Sequence, residues 1–233
     1  KFLEFVKRQG GNIDKLEVSS ISRDLILEFL SWLEDIRKST ISTRNQRLAA
    51  WKSFCKIVQF EEPAFYQLCS DIRAIEPKKC AKKTFDYLSV EAIKILLKQP
   101  KNDDIFGIRE LALLTLMYHS ACRVQEIIDL HVYNFRNSST STLCVTGKGN
   151  KTRIIPLDEE TVRILNTYIE LCNLKNDDIL FANKVGNNLT RKGITYILKK
   201  YIDIAKLDNP ELFCFNVSPH GLRHSKAMHL LES

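Results

Sequence analysis

Several patterns that would place this chain of 233 residues in a common class of protein are missing from it. No apolar run approaches the roughly 20 residues of a membrane helix, so we expect no membrane contact. The seven cysteines include no CxxC pair and no regular spacing, which argues against zinc and against a disulfide framework. The GxxxxGK[ST] pattern of ATP-binding loops and the carboxylate clusters of magnesium sites are also missing. We therefore expect no metal and no cofactor.

What the sequence does contain is a surplus of basic residues. There are 35 Lys and Arg against 28 Asp and Glu, a formal net charge of +7. Clustered basic side chains bind polyanions because they release counterions condensed on phosphates. The free cysteines, mostly among apolar neighbours, are typical of a reducing compartment. We expect a cytoplasmic protein with a polyanionic partner.

The first part of the chain is predicted to be a bundle of about four helices. Apolar residues recur at helical spacing from Ser22 to Lys38 and from Ser42 to Val58, and shorter helical patterns precede Gly10 and follow Pro63. The second long helix carries basic residues on its flanks, and we consider three of them as DNA contacts: Arg44, Arg47 and Lys52.

A basic connection separates this bundle from the rest. Between Glu76 and Phe85 the apolar periodicity disappears, as in an extended, solvated segment. We predict a helical domain at 1–80, a linker at 81–86 and a second domain at 87–233. The connection is either a charged linker or a strap that grips phosphates, through Lys78, Lys79, Lys82 and Lys83.

The second domain is predicted to be mainly α with a small antiparallel β-sheet. Short β-branched or aromatic runs predict three strands, at Val132–Phe135, Thr142–Val145 and Arg153–Leu157. Helical patterns lie on both sides of these strands. One predicted helix begins near Leu88, and the others span Ile108–Tyr118, Glu159–Cys172, Arg191–Ala205 and Gly221–Leu231.

Three short motifs in this domain carry groups that could act on phosphate. Arg123 begins a helix with Glu126 three residues on, so the acid can orient the guanidinium, although a surface ion pair would look the same. Lys148 sits at the tip of a glycine-containing hairpin, which is otherwise an ordinary solvated turn. His220 and Arg223 share the start of a helix, where anions bind, or serve only as capping residues. His224 is expected on another face of that helix.

Together these motifs resemble the tyrosine recombinase and phage integrase family. The resemblance rests on SACRVQEIIDL at 120–130, VTGKGNKTRIIPL at 145–157 and SPHGLRHSKAMHLL at 218–231, which occur in the family's order. The last two are close to Xer-type members. A helical core-binding domain of SAM-like type, followed by Leu88-Ser89-Val90-Glu91, is also the family's layout.

The resemblance implies a reaction and a role for each motif residue. Arg123 and Arg223 would clamp the scissile phosphate, Lys148 would protonate the leaving 5′ oxygen, and His220 would assist the nucleophile. Glu126 would orient the site, and Arg191 is a further candidate DNA contact. The reaction would be site-specific recombination through a 3′-phosphotyrosyl link, serving integration, excision or transposition of a mobile element.

In the family the tyrosine nucleophile lies downstream of the His220 helix, so we expect it to be absent from residues 1–233 and this chain to be inactive in cleavage. The partner would be double-stranded DNA, bound as a tetramer on paired sites by the full-length protein and as a monomer by this chain, in association with a bacterial nucleoid. Two alternatives stay open: relaxation of supercoils by a type IB topoisomerase, and DNA binding by a regulator that does not cut.

Overall fold

The computed structural model describes residues 1–80, 86–101, 103–147 and 149–232. The chain divides into two compact units, Lys1–Lys83 and Thr84–Ser233. Each unit has its own hydrophobic core. In the described ranges no helix is long and apolar enough to cross a membrane.

The first unit is a bundle of four α-helices: α1 (Phe2–Arg8), α2 (Arg23–Asp35), α3 (Ile41–Glu61) and α4 (Tyr66–Arg73). Helix α2 begins where predicted, because the Ser22 side chain accepts a hydrogen bond from the Leu25 N–H. Its apolar stripe is buried against the other helices, with Phe29 and Leu30 1% exposed. Two buried cysteines, Cys55 of α3 and Cys69 of α4, belong to the same core as free thiols.

The second unit is helical around a small sheet. Its helices are α5 (Val90–Leu97), α6 (Ile105–Ser120), α7 (Val124–Ile128), α8 (Glu159–Leu171), α9 (Arg191–Asp208) and α10 (Pro219–Glu232). Helix α6 is the central element, since most of its residues are buried, and α8 and α10 pack against it. The predicted fold class, mainly α with a small antiparallel β-sheet, is confirmed.

The sheet has three antiparallel strands, which lie in the same order in space as along the chain. The bounds of its first strand differ from the prediction. The strands are β1 (Phe135–Arg136), β2 (Thr142–Thr146) and β3 (Thr152–Pro156). The predicted strand at Val132–Phe135 was wrong over most of its length, because Val132–Asn134 form a 3-10 turn. The N–H groups of Val132 and Tyr133 donate to carbonyls of residues 178 and 176 instead of to a strand partner.

Helix α10 is tied to the residues that precede α5. The buried Ser225 hydroxyl accepts a hydrogen bond from the Leu88 N–H at 3.0 Å and donates to the Gly221 carbonyl. Near the other end of the helix, the Tyr87 hydroxyl donates to Glu232 at 2.6 Å. These bonds fix the helix that carries His220 and Arg223.

Candidate functional site

Helix α6 ends in a left-handed residue that turns the chain toward Arg123. Ala121 takes φ 47° and ψ 33° at the C-terminal cap of α6. Arg123 then caps the start of α7: its backbone N–H donates to Glu126 Oε2 at 2.7 Å and its Nη1 donates to Oε1 at 3.0 Å. The structure thus brings Arg123 and Glu126 together, while 58% of the Arg123 side chain remains exposed to a ligand.

Glu126 is a buried carboxylate held by two arginines. Arg153 of β3 donates from Nη1 to Oε1 at 2.9 Å and from Nη2 to Oε2 at 2.7 Å. The hydrogen bonds from Arg153, and then those from Arg123, lower the pKa of Glu126 from 4.5 to about 2, although burial opposes the change. The carboxylate is therefore ionised at every physiological pH.

The β2-β3 hairpin packs its backbone directly against this carboxylate. The strands pair from Thr142 with Pro156 to Thr146 with Thr152, and Gly147 follows β2. A Cβ atom on Gly147 would lie 2.8 Å from Glu126 Oε1 and 3.3 Å from Arg153 Nη1, so only glycine fits without displacing them. We call Arg123, Glu126, Gly147 and Arg153 the Glu126 cluster. Lys148 lies outside the described residues, so its role stays a prediction.

The start of α10 supplies the second set of groups. Ser218 Oγ accepts a hydrogen bond from the Gly221 N–H, which leaves His220 and Arg223 in the first turns of the helix. Burial, then the neighbouring His224, and then the charges of Arg223 and Arg123 lower the pKa of His220. Arg223 Nη1 is buried and has no hydrogen-bond partner among the described residues. Such a donor is costly unless a ligand satisfies it.

The prediction for His224 was wrong. Its Nε2 lies 2.9 Å from the Nε2 of His220, so the two rings share one face of α10. Four residues exceed one helical turn of about 3.6 residues only slightly, which brings such positions into register.

The arrangement concentrates positive charge and N–H donors where an oxyanion could bind. Arg123 is mostly exposed, Arg223 has a donor without a partner in the described ranges, and the charges of both contribute to the lowered pKa of His220. Guanidinium groups suit phosphate oxygens because their donors match them in pairs. Within the described part of the chain, no group of three or more His, Cys, Asp or Glu side chains could hold a metal ion.

The residues predicted to contact DNA differ in their exposure to solvent. Arg44 is 5% exposed and lies 3.8 Å from Glu34, so it stabilises the first unit and is a poor candidate for phosphate. Lys78 also pairs with Glu34, at 2.8 Å, but keeps 55% of its side chain exposed. Arg191 donates to Gln125 at 3.0 Å on the surface. Of the remaining candidates, the structure exposes Arg47 and Lys79, half-buries Lys52, and does not describe Lys82 and Lys83.

Sequence reasoning missed Arg153. It was read only as the first residue of a strand, although it is one of two cations that hold Glu126. A signal was present, since a charged residue stands among the apolar residues of a short strand and must find a partner if it faces inward. The identity of that partner could not be read from the sequence, because Glu126 lies on a distant helix.

A known family model matches more than half of the chain. Residues 86–233 match the model of the Phage integrase family. The chain belongs to the phage integrase family. The resemblance inferred from the motifs is thereby confirmed.

The relatives of this phage integrase family member include Xer recombinases. The tyrosine recombinase XerC of Natranaerobius thermophilus is 34% identical over 218 residues, covering 89% of this chain and 68% of the relative. The putative integrase/recombinase y4rC of Sinorhizobium fredii is 30% identical over 219 residues, covering 94% and 66%. The chain thus spans about two thirds of these relatives' lengths.

Solved structures share the fold of this family member. XerH site-specific recombinase, in a post-cleavage complex with its palindromic difH substrate, has a TM-score of 0.72 at 21% identity, covering 99% of this chain and 65% of the XerH chain. The Tn1549 transposon integrase, in complex with circular intermediate DNA, has a TM-score of 0.71 at 13% identity, covering 98% and 79%.

Proposed function

We propose that this chain belongs to a site-specific DNA recombinase that cleaves and rejoins strands through a 3′-phosphotyrosyl link. One observation carries the proposal: a member of the phage integrase family presents an exposed Arg123 and, beside His220 at the start of α10, an Arg223 whose buried Nη1 has no partner among the described residues. Two guanidiniums beside an imidazole can stabilise the charge that develops on a phosphate during transfer. The substrate is double-stranded DNA.

In this proposal each group has one task. Arg123 and Arg223 bind the nonbridging oxygens of the scissile phosphate, and Glu126 orients Arg123. His220 accepts a proton from the tyrosine hydroxyl, a role that suits an imidazole with a lowered pKa. Lys148 donates a proton to the leaving 5′ oxygen. The family model and the Xer relatives favour recombination over topoisomerase activity and over a regulator that does not cut.

The nucleophile is a further part of the proposal. We do not assign it to Tyr196 or Tyr201, because both precede the His220 motif in the sequence, and Tyr201 is also buried and donates to Glu110 at 2.6 Å. A tyrosine beyond residue 233 is the proposed nucleophile, and residues 1–233 alone are expected to bind DNA without cutting it. A tetramer on paired sites and a cytoplasmic, nucleoid-associated location complete the proposal.

The test of the reaction compares two DNA substrates. The full-length protein should recombine paired sites and should not relax supercoiled plasmid that lacks them. Residues 1–233 should bind the same sites without a covalent adduct. Relaxation without paired sites would favour the topoisomerase alternative, and an adduct on residues 1–233 would place the nucleophile within them.

The test of Lys148 separates binding from chemistry. In the full-length protein, Lys148→Ala should leave DNA affinity nearly unchanged and slow cleavage by roughly 100- to 10,000-fold, the range for a lost general acid. A substrate with sulfur in place of the 5′-bridging oxygen needs no proton to leave, so it should largely restore the rate. An equal defect on both substrates would exclude Lys148 as the acid.

A further inference from the structure

The Glu126 cluster contains more positive charge than an ion pair requires. One carboxylate, 6% exposed, faces two guanidiniums, so the cluster carries a net positive charge. Each carboxylate oxygen accepts one bond from Arg123 and one from Arg153. The two arginines differ in exposure, since 58% of the Arg123 side chain is accessible against 37% for Arg153.

Arg153 is the stronger partner of the two. It grips the carboxylate with both terminal nitrogens, whereas Arg123 uses one side-chain nitrogen and its backbone N–H. Bidentate pairing fixes the guanidinium plane as well as its distance. Arg153 Nη2 also lies 3.6 Å from the buried Cys122 sulfur, which anchors it a second time.

Without Arg153, the balance of charge around Glu126 would change. A buried carboxylate needs a compensating cation, and among the described residues that contact Glu126 the remaining one would be Arg123. Its guanidinium would then be drawn into a closed pair with Glu126 and would lose electrostatic attraction for an anion in solvent. Gly147, whose backbone lies against the same carboxylate, leaves no room for a replacement side chain.

We propose that Arg153 is a positioning residue: by satisfying Glu126 from the sheet, it keeps the guanidinium of Arg123 available to the scissile phosphate. The inference rests on the proposed function for the identity of that phosphate. Arg153 itself binds no DNA in this scheme. It acts on the reaction through Glu126 and Arg123.

The cleavage test uses the full-length protein and compares a variant at Arg153 with a double variant at Arg153 and Glu126. Arg153→Gln should slow single-turnover cleavage at saturating DNA by roughly 10- to 100-fold, the size of effect that a misplaced catalytic group produces. DNA affinity should change little. Arg153→Lys keeps the positive charge but cannot form two hydrogen bonds in one plane with the carboxylate. It should cleave faster than Arg153→Gln and slower than wild type.

The decisive variant also removes the charge that Arg153 balances. Arg153→Gln/Glu126→Gln should cleave faster than Arg153→Gln alone, because Arg123 no longer faces an uncompensated carboxylate. The matched control is Arg136→Gln, the same change on β1 of the same sheet, which should cleave like wild type. Thermal unfolding of each variant identifies any loss of rate that comes from misfolding.

A second measurement is independent of cleavage. In ¹⁵N-labelled protein, the Nε–H signal of Arg123, assigned with Arg123→Lys, should shift in Arg153→Gln and stay in place in Arg136→Gln. Titration with orthovanadate should perturb that signal in wild type and perturb it less in Arg153→Gln. An unmoved Arg123 signal in Arg153→Gln, or a double variant that is no faster than Arg153→Gln, overturns the inference. Wild-type protein that cleaves no DNA while the signal behaves as expected contradicts only the proposed function.

Discussion

Ala121 is a residue whose side chain opposes the backbone conformation it must adopt. Its φ of 47° lies in the left-handed region, which costs a non-glycine residue roughly 1–2 kcal/mol. Ala121→Gly removes this strain but adds freedom to the unfolded chain, so we expect a net gain in unfolding free energy of roughly 0.5 kcal/mol. Urea denaturation would measure it.

The matched control for Ala121→Gly is Ala227→Gly. Ala227 is exposed and lies within α10, where the backbone is right-handed and the same change should lower the unfolding free energy by about 1 kcal/mol. Opposite signs at the two positions would demonstrate the strain. A loss of stability at both would show that the turn at residue 121 relaxes around alanine.

Glu126 should make the second unit sensitive to acid. Its pKa in the folded protein, about 2, lies below the ordinary 4.5, so folding is favoured by the ionised form. That stabilisation, about 3 kcal/mol from the difference in pKa, is complete above pH 4.5 and is lost as the pH falls toward 2. Glu126→Gln should be less stable than wild type at pH 7, and the difference should shrink in acid.

Urea titrations at pH 7, 5 and 3 on the two proteins would check this, with Glu170→Gln as the control. Glu170 is an exposed residue of α8, and its replacement should change the pH dependence little. A constant difference between wild type and Glu126→Gln across this range would contradict the origin assigned to the stability.

At the scale of elements, one buried hydroxyl contributes to the attachment of α10. Ser225→Ala would leave the Leu88 N–H without its acceptor, at a cost of about 1–3 kcal/mol. Amide hydrogen exchange in α10 should become faster in this variant. Thr195→Ala, which removes an exposed hydroxyl bonded within α9, should change neither stability nor exchange in α10.

Local patterns predicted most elements because their signals are local. The apolar stripe of α2 and the pairing of Arg123 with Glu126 both depend on residues within one or two helical turns. The β2-β3 hairpin is likewise encoded by adjacent strands around glycines.

The errors have a different origin, since each depends on distant partners. Val132–Asn134 has strand propensity, but the N–H groups of Val132 and Tyr133 bond to a loop more than 40 residues downstream. The burial of Arg44 likewise depends on another helix, because Glu34 of α2 lies beside it. Arg153 could not be recognised as part of the site before β3 was known to lie against α7.

For the whole molecule, the net charge of +7 sets the expected response to salt. Each phosphate that the protein neutralises should contribute a slope of about −0.9 to a plot of log affinity against log salt. DNA binding by residues 1–233 should therefore weaken steeply as salt rises. Fluorescence anisotropy with a labelled duplex would measure the slope, and a flat titration would contradict binding through phosphates.

A double variant at exposed positions tests which residues produce that slope. Arg47→Gln/Lys79→Gln, both exposed in the first unit, should reduce it if these residues contact DNA. Arg44→Gln would not serve this purpose, because its burial beside Glu34 makes loss of stability the expected result.

The bond between Ser225 and Leu88 also constrains the order of folding. It joins residues 137 positions apart, so it closes a loop that includes nearly the whole second unit. Contacts of such long separation form late, because the chain entropy lost in closing the loop must first be offset by nearer contacts. During synthesis, α10 can find its anchor only after α5 to α9 and the three strands have left the ribosome. His220 and Arg223 would therefore reach their places after these elements, and a partly folded chain would not yet present them together with Arg123.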